Sequence, residues 1–138
     1  TGCQLEIGSQ VTPFEHRTFA DDLAACKRYF ETSYPYGTAP GSASGGIGSD
    51  HRYVGRNTPQ NYGWYSQRYT VEKRAAPTVT IFGYDGTSGQ VSNGDDGSNI
   101  GAAGVIQNGT TGFLPRNESG GTLNEQAVIF LYSADAEL

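Results

Sequence analysis

The apolar residues of this chain come in short runs broken by turn-forming residues, and this pattern most limits the folds open to it. The best supplied runs are Thr78 to Tyr84, TVTIFGY, and Val128 to Tyr132, VIFLY. Around them stand Ser, Thr, Asn and Asp, with 20 Gly and 6 Pro in 138 residues. No apolar run approaches the roughly 20 residues of a membrane span, so membrane insertion is not expected. Short β-branched and aromatic runs, with turns roughly every 8–12 residues, specify an all-β protein. The expectation is a jelly-roll-like β-sandwich, preceded by an extended arm and one short helix. The length suffices for one domain with its own core.

The strands read as follows. Residues 27–34 open the domain, with Tyr29 and Thr32 favouring extension. Residues 35–49 are rich in Gly, Ser and Pro and form a loop within the domain. His51 to Val54, Gly63 to Glu72, Thr78 to Tyr84 and Gly89 to Ser92 are strands, with Pro77 at an entrance that tolerates a missing N–H. In Gly63 to Glu72 the face holding Tyr65, Gln67, Tyr69 and Val71 is the apolar one. Residues 93–101 carry turn chemistry. Ala102 to Gln107 and Thr111 to Leu114 pair through Asn108-Gly109, a hairpin signal. Residues 115–124 are loop, and Glu125 to Glu137 is the closing strand, apolar on both faces from Val128 to Tyr132. Such a strand lies centrally or in an interface.

Ahead of the sandwich, residues 1–17 read as an extended arm and residues 18–26 as a short helix. Thr18 is placed as N-cap, and Asp21 and Asp22 suit the positive end of the helix dipole. Phe19, Leu23 and Cys26 share one face, and a helix of about two turns needs something to dock on. The expectation is a collar seated on the β-domain that starts at residue 27. The absence of Met, with Thr1 at the start, suggests an upstream portion.

Three motifs in order give the chain a resemblance. CQLEIGSQVTPFEHRTFADDLAACKRYFETS at residues 3–33, KRAAPTVTI at residues 73–81 and FLYSADAEL at residues 130–138 resemble a signature of bacteriophage tail-fibre, tail-spike and head-fibre proteins. There a TPFEHR segment leads into a helix, a KRYF strand and a C-terminal β-domain. The resemblance implies a non-enzymatic virion component, usually trimeric and assembled in the host cytoplasm, with other virion proteins as partners. Residues 34–72 and 83–125 match loosely, and would carry individual specificity.

A net charge of −5 argues against nucleic acid as a partner. No cofactor is implied. His16 and His51 are the histidines, no nucleophile-elbow motif occurs, and no catalytic residue is assigned. The Asp21-Asp22 pair serves the helix, and the Asp95-Asp96 pair lies in a turn. Asn93, Asp95 and Asn99 alternate along that turn and are a candidate for a hard cation such as Ca²⁺. The EF-hand pattern fails because residue 104 is Gly, and a solvated turn is the plainer reading. No zinc spacing joins Cys3 and Cys26, and two buried free thiols are expected in a reducing compartment.

Nine Tyr and one Trp are a high aromatic load for a chain 36% hydrophobic. Tyr53, Tyr62, Trp64 and Tyr65 cluster in sequence with Arg52, Arg56 and Asn57. Flat rings stack on sugar C–H faces while guanidinium and amide groups read hydroxyls, so this stretch is the candidate glycan site. Trp64 and Tyr65 would serve equally as core or subunit contacts. Leu5, Ile7 and Phe14 of the arm, with Phe130 and Tyr132 of the closing strand, are the candidate trimer interface. The expected function is contact with the host cell surface; the alternative is a decoration or adaptor domain that cements capsid or tail without binding a receptor.

Overall fold

The structure, a computed structural model, describes residues 7–10, 12–13, 16–43, 52–54, 66–117 and 128–137, with the backbone course alone at 52–54 and 117. Among the described residues one helix, α1 (Phe19–Lys27), precedes eight strands. These are β1 (Phe30–Thr32), β2 (Arg52–Val54), β3 (Gln67–Arg68), β4 (Thr78–Phe82), β5 (Gln90–Asn93), β6 (Asn99–Asn108), β7 (Gly112–Asn117) and β8 (Val128–Asp135). All pairings are antiparallel, along the path β1-β8-β5-β6-β7-β3 with β2 and β4 also on β8. The curled sheet with its short helix is the expected all-β, sandwich-like fold.

β8 is the hub. Residues 133–135 pair with both β1 and β4, and residues 128–129 with both β2 and β5. Its alternation then feeds two cores. Val128, Phe130, Tyr132 and Ala134 pack with Tyr69, Ile81, Val91 and Phe113. Leu131, on the other face, packs with Tyr34 and Phe82. Phe130 and Tyr132, read from the sequence as candidate interface residues, lie in the first of these cores. Both are buried by their own chain, so β8 needs no neighbouring subunit to cover its second face. Of the arm residues assigned with them, Ile7 is exposed, while Leu5 and Phe14 lie outside the described residues.

The helix forms for the local reasons expected. The Asp21 N–H donates to the Thr18 hydroxyl at 3.2 Å, the hydroxyl donates to the Asp21 carboxylate at 2.7 Å, and Lys27 lies in the last turn. Its docking differs from expectation. No helix residue is buried, and Phe19 is 77% exposed. Spacing says which side of a helix is apolar; among the described residues the large buried apolar side chains belong to the two cores on β8. Cys26 is accordingly an exposed free thiol rather than a buried one, and Cys3 lies outside the described residues.

β7 runs on through Pro115 to Asn117, where a loop was expected. Pro115 pairs with Val105 where the β6–β7 register shifts, and such an irregularity tolerates the missing N–H. β6 likewise begins at Asn99, earlier than expected, while the strand expected over residues 63–72 is confined to Gln67–Arg68 within the described residues. Among the described residues no helix is long and apolar enough to cross a membrane.

Candidate functional site

The most highly built polar centre is one the sequence did not reveal. Glu31 of β1 is 3% exposed and Lys73 is wholly buried, with Nζ and Oε2 2.6 Å apart. The Thr70 N–H donates to both Glu31 oxygens, at 3.1 and 3.2 Å, and the Tyr132 hydroxyl donates to Oε1 at 3.1 Å. Lys73 Nζ also donates to the Lys27 carbonyl at the end of α1, and lies 4.9 Å from the Tyr69 ring centre. Both Glu31 oxygens accept hydrogen bonds and the Lys73 ammonium has two acceptors, the kind of partnering a buried charge pair requires. This centre ties the helix end, β1, the 69–73 segment and β8 together, and its closure to solvent suits a structural tie. The sequence did carry a signal: Glu31 and Ser33 sit at alternate inward positions of the opening strand, both buried.

Tyr69 is raised above the ordinary phenol pKa, first by burial and then by the Glu31 charge. Tyr34 is raised by burial, with the Gly41 backbone offsetting part. Both shifts favour the protonated phenol in the folded state. Their contribution to stability is therefore complete below the unfolded value of about 10 and is lost as pH rises through the folded values. In an alkaline absorbance titration a fraction of the tyrosines should ionise well above pH 10, and Tyr69→Phe should shrink that fraction. A single titration near pH 10 for all phenols would contradict the burial.

The 83–99 region holds the other polar cluster. Asp85 accepts from the Thr87 N–H and hydroxyl and from the Asn99 amide, each at 2.8 Å, and these bonds lower its pKa. Asp96 is lowered by the Ser98 hydroxyl and N–H, at 2.6 and 2.9 Å. Gly86, at φ 86°, packs so closely on the Gly41 backbone that a Cβ would collide with it. The candidate cation ligands are drawn into this scaffold. Asn93 Oδ1 accepts from the Asp95 N–H at 3.0 Å, and Asn99 Oδ1 from the Ser92 hydroxyl at 2.7 Å. Among the described residues no group of three or more His, Cys, Asp or Glu is placed to hold a metal.

Of the candidate glycan residues, Arg52 and Tyr53 lie on β2, opposite Phe130 and Ile129 of β8. Arg56, Asn57, Tyr62, Trp64 and Tyr65 lie outside the described residues. His16 is exposed, and His51 also lies outside. A groove the sequence reading missed opens where β3 meets the β6–β7 turn. It encloses about 360 Å³ and is lined by Gln67, Arg68, Gln107, Asn108, Thr111 and Leu114, among others. Compared with protein families, curated proteins and solved structures, the chain matches none.

Proposed function

We propose that this chain is a non-enzymatic bacteriophage virion surface domain, trimeric, that contacts the host cell surface. The observation that supports the reading is where the three resembling motifs fall. KRYFET supplies β1 and Glu31, APTVTI supplies most of β4, and FLYSADAEL supplies most of β8, on which both of the others pair. The landmarks are thus one contiguous scaffold. The loosely matching segments supply loops, β2, β3 and β5 to β7, the places where a scaffold of this kind varies its binding surface. Exposed Ile7 and Phe19 are apolar surface that assembly into a trimer would cover.

The test is adsorption of the labelled protein to bacterial cells and to their extracted polysaccharide, with light scattering on the same sample. A trimer that adsorbs is expected. A folded trimer that adsorbs to neither, and is instead located at a capsid or tail lattice contact, would make it a cementing domain.

A further inference from the structure

We propose that the groove between β3 and the β6–β7 turn binds a saccharide unit bearing a carboxylate, held by Arg68, Gln107 and Thr111; this rests on the host-contact reading above. Among the described residues lining the groove Arg68 is the one that is charged, on a chain of net charge −5. Arg68 and Gln107 are exposed and have no side-chain partner among the described residues. A guanidinium fork matches a carboxylate in bidentate fashion, while amide and hydroxyl groups both donate to and accept from sugar hydroxyls. Leu114, half-buried in the same groove, offers an apolar patch to a C–H face.

The walls of the groove are fixed by bonds that leave those groups free. Asn108 accepts from the Tyr69 hydroxyl at 3.2 Å and donates to the Pro77 carbonyl. The Tyr69 and Lys73 N–H groups donate to the Thr111 and Thr110 carbonyls at 3.1 and 2.8 Å. Gly112 packs against the Gln67 carbonyl so tightly that a Cβ there would collide. The turn is therefore pinned to the segment that carries the Glu31–Lys73 centre, and little ordering is left for a ligand to impose.

Saturation-transfer NMR and calorimetry on the full chain, with a glucuronate-containing disaccharide and its neutral glucose counterpart, test the site. The carboxylated sugar should bind more tightly, and Arg68→Ala should weaken it about ten- to hundredfold. Arg68→Lys should fall between, keeping the charge without the fork, and Gln107→Ala should weaken both sugars. Arg68 is exposed, and circular dichroism checks that the variant is folded. Equal binding of the two sugars, unchanged binding by Arg68→Ala, or binding of neither overturns the site. Adsorption to bacterial cells separates the two levels. If Arg68→Ala adsorbs like the unaltered chain, the groove is wrong and host contact stands. If the unaltered chain adsorbs to no cells, the host-contact reading fails and takes the groove with it.

Discussion

Replacing Glu31 by Ala should lower the unfolding free energy by about 3–5 kcal/mol, the cost of leaving one member of a buried pair alone. The substitution strands the Lys73 ammonium at 0% exposure and removes the acceptor of the Tyr132 hydroxyl and the Thr70 N–H. Against a total stability of about 5–15 kcal/mol, that loss is a large share. The double variant Glu31→Gln with Lys73→Met should recover much of it, because no buried charge remains and the Gln oxygen still accepts from Tyr132 and Thr70. Urea unfolding at neutral pH measures both, read from midpoints at unchanged slope. A loss below about 1 kcal/mol for Glu31→Ala would mean that Lys73 reaches water and that the centre is not closed.

Leu131→Ala should cost about 2–5 kcal/mol. Leu131 is wholly buried, and the shortened side chain leaves a cavity between Tyr34 and Phe82, whose rings meet edge to face at 5.9 Å. The loss should be the same at low and high protein concentration, because the cover comes from the same chain. A loss that shrinks as concentration rises would return this face of β8 to a contact between subunits.

Much of the architecture is legible from local sequence. Thr18 and Asp21 cap a helix within four residues of one another. The Asn108-Gly109 pair marks a hairpin, and TVTIF and VIFLY mark two strands by composition alone. These signals act through the backbone and the nearest neighbours, so a short window contains them. The candidate site was less legible. The aromatic stretch around Trp64 is conspicuous by composition, whereas Arg68 and Gln107 look ordinary until β3 and the β6–β7 turn bring them to one groove.

What the chain alone determined, then, is which segments are extended, where they turn and which of their faces are apolar. Which surface covers each face was decided by the tertiary structure. The double-faced run in β8 was equally compatible with a neighbouring subunit, and Tyr34 and Phe82 of its own chain pack on Leu131 there. The helix face of Phe19 and Leu23 was as apolar by spacing, yet among the described residues nothing buries it fully: Phe19 is exposed and Leu23 half-buried. Glu31 and Lys73 stand 42 residues apart, and their pairing exists because β1 is held on β8 while the 69–73 segment is bonded to the β6–β7 turn. Periodicity is a property of a few consecutive residues, while burial depends on loop closure between distant ones, and a linear pattern holds no record of which closures win.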